Sequence, residues 1–113
     1  MTAIGFAELP DPPYYAVIFS SQRTPEDAGY AQMADRMVEL AAEQQGYLGI
    51  ESARDEVGFG ITVSYWNSLE AIKNWRVHSE HKIAQEYGIK QWYRHYQIRI
   101  ARIERAYGKH PLS

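Results

Sequence analysis

Residues 47–66 read YLGIESARDEVGFGITVSYW. Two β-prone runs, Tyr47–Arg54 and Gly60–Trp66, flank the connection DEVGF, whose Asp, Glu and Gly suit a tight turn, so the stretch predicts an antiparallel hairpin. A helical pattern precedes it in TPEDAGYAQMADRMVELAAEQQG (24–46), and another follows from Asn67. Outside these lie YYAVIFSSQ (14–22) and WYRHYQIRIARIERAY (92–107), both rich in β-branched and aromatic residues. The order strand, helix, strand, strand, helix, strand predicts an α+β chain of ferredoxin-like βαββαβ form. Its antiparallel sheet carries the helices on one face.

Each element has its own signals. The first strand is apolar at successive positions, which suits a strand buried on both faces at the centre of the sheet. In the first helix Thr24 can cap, Pro25 suits the first helical position and Asp27 stands where a capping box places its carboxyl group. Tyr30, Met33, Met37 and Leu40 recur at spacings of three and four, and Gly46 can end the helix. Asn67 or Ser68 caps the second helix, with Leu69, Ile72, Trp75 and Ser79 on its inner side. A bend is expected near His78–Glu80, before HKIAQEYG. In the last strand Tyr96, Ile98 and Ile100 alternate with Gln97 and Arg99, giving one apolar and one cationic face.

The chain divides into an N-terminal arm (1–13) closed by LPDPP, a folded domain (14–107) and a C-terminal tail (108–113). Its 12 basic and 14 acidic residues leave a net charge of −2, which gives no electrostatic footprint for nucleic acid or a membrane surface. Without cysteine there can be no disulfide, thiolate nucleophile, iron–sulfur cluster or cysteine-held zinc. No signal-like N-terminal segment and no run of about 18 apolar residues is present, so a cytoplasmic location is expected. A sheet with helices on one face must cover the other. In so short a chain the economical cover is a second copy, which predicts a homodimer with facing sheets.

The segment YWNSLEAIKNW (65–75) followed by HSEH (78–81) resembles the antibiotic biosynthesis monooxygenase family of dimeric α+β barrels. Trp66, Ser68, Trp75 and His81 stand where members commonly carry a Trp, a helix-starting Ser, an aromatic or His, and a His. The likeness runs over about residues 14–105 and is nearest to an uncharacterised bacterial subgroup. It implies cofactor-free oxygenation of a small aromatic or polycyclic phenol, quinol or ketone, in which a proton is removed and the carbanion reacts with dioxygen. The enzyme orients the substrate, stabilises the anion and excludes water. Oxidative haem degradation, the other activity among relatives, uses an Asn on the first strand and a His ten residues after the helix Trp. Here that position is Gln85 and the first strand has no Asn, so haem binding is disfavoured.

The resemblance makes His81, Trp75 and Trp66 the catalytic candidates, in one pocket per subunit between the sheet and the second helix. Trp66 can line its mouth or plug the core, and His81 can serve as general base or simply end a helix. His78, Tyr65, Tyr47 and Arg99 are the substrate-binding candidates. His78 and His81 are spaced to chelate a metal but lack an acidic pair on their face, so no metal is expected. Arg99 and Arg54 can hold an anion or form salt bridges to Glu51, Glu56 or Glu104. No glycine-rich loop precedes a helix and no Gly-x-Ser-x-Gly occurs, so the reading requires no cofactor. The competing reading is a non-catalytic dimeric small-ligand-binding or stress-related protein with the same barrel. In it Trp66 and Tyr65 fill the pocket.

Overall fold

In the computed structural model, which describes residues 5–88 and 91–109, the hairpin is built as its sequence implies. Strands β2 (Tyr47–Arg54) and β3 (Phe59–Trp66) pair antiparallel. Asp55 makes the turn: its Oδ1 accepts the backbone N–H groups of Val57 at 3.0 Å and Phe59 at 2.9 Å. Gly58 supplies the positive φ of 93° that a side chain would resist.

Strand β1 (Tyr14–Arg23), helices α1 (Tyr30–Ala42) and α2 (Leu69–Tyr87) and strand β4 (Tyr93–Ile103) complete the βαββαβ order. The sheet runs β2-β3-β1-β4, every pair antiparallel, with β1 in the interior as its apolar run predicts. Directly paired residues share a face. Tyr47, Trp66 and Tyr15 therefore lie side by side under the helices, and the row Glu51, Val63, Ile18, Arg99 lies on the outer face. Helix α1 packs over β2 and α2 over β3, antiparallel to each other. The core gathers where they meet: Ala41 from α1, Ala71 and Ile72 from α2, and Trp66 beneath.

Two helix expectations are corrected. Helix α1 starts at Tyr30, not after Thr24, with Gly29 at its N-cap in the left-handed region (φ 77°). Thr24 and Asp27 are spent on the preceding loop: the Thr24 hydroxyl donates to the Gln91 carbonyl and accepts the Glu26 N–H, and Asp27 Oδ1 pairs with Arg23. Helix α2 runs unbroken through His78–Glu80. It contains no Pro or Gly, Arg76 and Glu80 pair one turn apart at 3.5 Å, and the Ser79 hydroxyl donates to the Arg76 carbonyl without opening the helix. Ser68 is its cap, accepting the Ala71 N–H at 3.0 Å. Leu69 points outward rather than into the core.

The outer face of the sheet is not wholly bare. The arm crosses it at β2, where the Ala7 N–H donates to Glu51 Oε2 at 3.1 Å. Gly49 makes the crossing possible, since a Cβ there would stand 2.8 Å from Ala7 Cβ and 3.4 Å from Leu9 Cδ2. A second copy is thus not the sole cover available to this face. Residues 1–4 of the arm and 110–113 of the predicted tail lie outside the described residues.

Candidate functional site

Trp66 anchors the helix side of the sheet. It closes β3 opposite both Tyr15 and Tyr47, is fully buried, and donates its Nε1–H to Ser64 Oγ, two residues back on the same face, at 2.9 Å. Two rings pack on it: Tyr47 edge-on at 5.6 Å between centroids and Trp75 stacked at 5.9 Å. Trp75 in turn tilts against His78, one turn further along α2, at 6.2 Å. Burial pushes the Tyr47 phenol above its usual pKa, keeping it a hydrogen-bond donor. The result is an unbroken aromatic row, Tyr47–Trp66–Trp75–His78.

The row ends in an unsatisfied group. His78 Nε2 is buried without a hydrogen-bond partner, a state that costs folding free energy unless something else uses the nitrogen. Beyond the row, the helix side of β4 meets helix α1 at Tyr93, which packs on Tyr30, and is open further along the strand. Tyr96, Ile98 and Ile100 stand there 56%, 42% and 53% exposed. This apolar shelf continues directly from the row, since Val17, which packs against the Trp66 cluster, pairs with Ile100. Helix α2 begins at the Trp66 end of β1 and its last residue, Tyr87, meets Trp92 beside the start of β4.

The sequence candidates are therefore only partly assembled. Trp66, Trp75, Tyr47 and His78 come together, with the two indoles stacked on each other in their midst. His81 is exposed on α2, outside this aromatic row. Tyr65 and Arg99 lie on the other face of the sheet. Tyr65 must, because neighbouring residues on a strand point to opposite sides. Its hydroxyl donates to Glu51 Oε1 at 2.6 Å, and burial together with that bond raises its pKa. Arg54 forms none of the expected salt bridges: its guanidinium donates to the Ser21 carbonyl and hydroxyl and to the Gly58 carbonyl.

A second aromatic group, of which sequence reading singled out only Tyr93, as a possible hydrogen-bond donor to a substrate, borders the far end of the shelf. Phe19, Tyr93 and Tyr96 pack together, and Tyr93 donates to the Tyr30 hydroxyl at 3.3 Å. The Arg23 guanidinium sits 3.4 Å over the Tyr30 ring. Trp92, buried, donates its indole N–H to the Ala28 carbonyl at 3.0 Å. The one signal for this group was the excess of nine tyrosines and three tryptophans.

Among the described residues no three His, Asp or Glu side chains gather as a metal site requires. No helix there is long and apolar enough to cross a membrane. Gln85, on α2, is exposed.

A family model described as antibiotic biosynthesis monooxygenase matches residues 13–87, the segment from the start of β1 to the end of α2. The uncharacterized protein YqjZ of Bacillus subtilis is 54% identical over 99 residues, covering 88% of this chain and 87% of YqjZ. Among solved structures, a mutant of SnoaB, a cofactor-independent oxygenase from Streptomyces nogalater, superposes with a TM-score of 0.63 at 9% identity. It covers 88% of this chain and 99% of SnoaB. An MhuD mutant carrying two manganese protoporphyrin IX per active site gives 0.64 at 15% identity, covering 84% and 99%. These two show the fold alone. With the family model spanning most of the domain and YqjZ matching nearly end to end, the chain belongs to the antibiotic biosynthesis monooxygenase family.

Proposed function

We propose that this chain is a cofactor-independent monooxygenase acting on a small aromatic phenol, quinol or ketone, assembled as a homodimer through the outer faces of its sheets. The observation that carries the catalytic part is the buried, unpartnered Nε2 of His78, at the end of the aromatic row. A flat substrate lies on Ile98 and Ile100, and a rotation of the His78 side chain brings that nitrogen out to its acidic C–H or O–H. His78 takes the place that sequence reading gave to His81.

The chemistry asks little of the protein. His78 accepts the proton, and the carbanion or phenolate reacts with dioxygen. For a ketone with an acidic CH₂, the carbon loses two hydrogens and gains one oxygen atom as a carbonyl. The second oxygen atom leaves as water with those hydrogens, and the substrate supplies all four electrons. The apolar floor keeps water from quenching the carbanion, and the aromatic rings fix the substrate plane.

Dioxygen uptake with anthrone, a naphthol or a hydroquinone tests this reading. Wild-type protein should consume oxygen, and His78→Ala should slow it by roughly 10²–10⁴-fold, while His81→Ala leaves the rate near wild type. No uptake with any of the three overturns it.

The close packing of Trp66 on Trp75 favours a second reading, a dimeric small-ligand-binding protein without catalysis. Quenching of tryptophan fluorescence by those compounds, with no oxygen uptake, would support it. Haem is not proposed, because exposed Gln85 offers no imidazole to iron.

A further inference from the structure

Arg54 ends the edge strand β2, and on the helix side of the sheet its row runs Arg54, Gly60, Ser21, Tyr96, one residue from each strand. Gly60 is buried and leaves the way across β3 clear, since a Cβ there would stand 2.7 Å from Arg54 Cζ. The guanidinium therefore lies over β3 and reaches β1. There Nη1 donates to the Ser21 carbonyl at 3.1 Å and Nη2 to the buried Ser21 hydroxyl at 2.7 Å, while Nη1 also donates to the Gly58 carbonyl. All three acceptors are neutral, and no carboxylate pairs with Arg54 among the described residues. Asp55, its neighbour in the chain, turns Oδ1 to the Val57 and Phe59 N–H groups instead. A charge drawn partly out of water among neutral groups favours any anion that comes within reach.

We propose that the compound taken by the apolar shelf is an aromatic acid, and that Arg54 binds its carboxylate while its rings lie over Ile98 and Ile100. This inference rests on the reading of the shelf as the ligand site and narrows the class of substrate. Nη1 of Arg54 has both hydrogens engaged and Nη2 one. The Nε–H and the second Nη2–H remain, and together they form one edge of the planar fork, which receives a carboxylate through two parallel bonds. The edge stands beside the shelf: Tyr96 pairs with Ser21, and the Tyr93 ring lies 5.9 Å from Arg54 Cζ. The adjoining row, Ser52, Thr62, Phe19 and Ile98, is exposed at both ends, which leaves an approach from solvent. Arg23 and Arg102, which border the same side of the sheet, already have carboxylate partners, Asp27 at 3.2 Å and Glu104 at 3.9 Å. From the Tyr96 row to the Ile100 row is four residues of strand, roughly 13 Å, a span that suits two or three fused rings bearing a carboxyl group.

Titration calorimetry at neutral pH with two probes of the same shape, 2-naphthoate and the uncharged 2-naphthamide, tests the proposal. Wild type should bind the acid about tenfold more tightly than the amide, and rising salt should shrink that preference because a charge supplies it. Arg54→Gln should abolish the preference and leave the affinity for the amide unchanged, whereas Arg102→Gln should keep the preference. The comparison of the two probes on wild type needs no variant, so it decides the matter even where loss of the Ser21 bonds unfolds Arg54→Gln. Equal affinities for acid and amide in wild type overturn the proposal while leaving the shelf as a site for uncharged aromatics. An acid preference that survives Arg54→Gln, or that is lost in Arg102→Gln instead, overturns it in the same way. Failure of both probes to bind overturns the shelf reading and this inference with it.

Discussion

Trp66 and Trp75 stack with their ring planes 25° apart, one indole fully buried and the other reaching the surface of α2. They join the sheet core to the helix that carries His78, so their energetic roles should differ. Trp66→Ala removes a ring touched on every side and should cost about 3–5 kcal/mol. Trp75→Ala exposes less new apolar surface and should cost about 1–3 kcal/mol. Urea midpoints followed by far-UV circular dichroism give both values, and equal losses would mean that Trp66 is not the keystone of this core.

Ser64 sits under the same ring and accepts its only polar hydrogen at 2.9 Å. Ser64→Ala would leave a buried indole N–H without a partner, which costs about 1–3 kcal/mol, more than a surface Ser→Ala change. Ser64→Ala combined with Trp66→Phe should recover part of that cost, since the substituted ring has no donor to strand. A double-mutant cycle by chemical denaturation measures the coupling, and strict additivity would argue against the hydrogen bond.

Tyr93 sets an alkaline limit on stability. Burial, reinforced by its hydrogen bond to Tyr30, raises its pKa above the ordinary value of 10.0 against the opposing pull of Arg54 and Arg23. A phenol whose pKa is higher in the folded state contributes its full share of stability below about pH 10, where both states are protonated. Above that pH the unfolded chain ionises while folded Tyr93 does not, so stability falls as pH rises. Thermal midpoints from pH 8 to 11 should show this fall, and Tyr93→Phe should reduce it, the remainder coming from Tyr65 and Tyr47, whose pKa values are also raised. An unchanged alkaline slope in the variant would assign the effect elsewhere.

These residues also mark how far the sequence could be read. The β2 boundaries and the Asp55–Gly58 turn were legible because local chemistry alone builds a hairpin. The α1 start was not, because Thr24 offers the same hydroxyl to a helix or to a loop, and the Gln91 carbonyl that decides the matter is distant in sequence. Trp66 and Trp75 were singled out by the family resemblance, and His78 as their neighbour on the second helix. Tyr65 was placed with them although its strand position next to Trp66 forbids it. Arg99 required more, since alternation tells which β4 residues share a face but only the register with β1 tells which face meets the helices. The Tyr30–Trp92–Tyr93 cluster was invisible for the same reason: Tyr30 lies more than sixty residues before the other two and meets them only through the fold.

The arm rests on a single absence, the missing Cβ of Gly49. A methyl group there would stand 2.8 Å from Ala7 Cβ, and since Ala7 is backbone-anchored to Glu51, the arm rather than the strand must give way. The φ of Gly49 lies outside the left-handed region, so alanine strains nothing in β2 itself. Gly49→Ala should therefore lift the arm while leaving the urea midpoint of the domain within about 0.5 kcal/mol of wild type, as expected for a change outside the core. Limited proteolysis should cut the variant within residues 5–13 faster than wild type, because a segment stripped of its backbone contact opens at lower free energy. Glu51→Gln should have a weaker effect in the same direction, since its amide can still accept the Ala7 N–H but without the charge. Equal cleavage rates in wild type and Gly49→Ala would show that the arm is held by something other than its fit over Gly49.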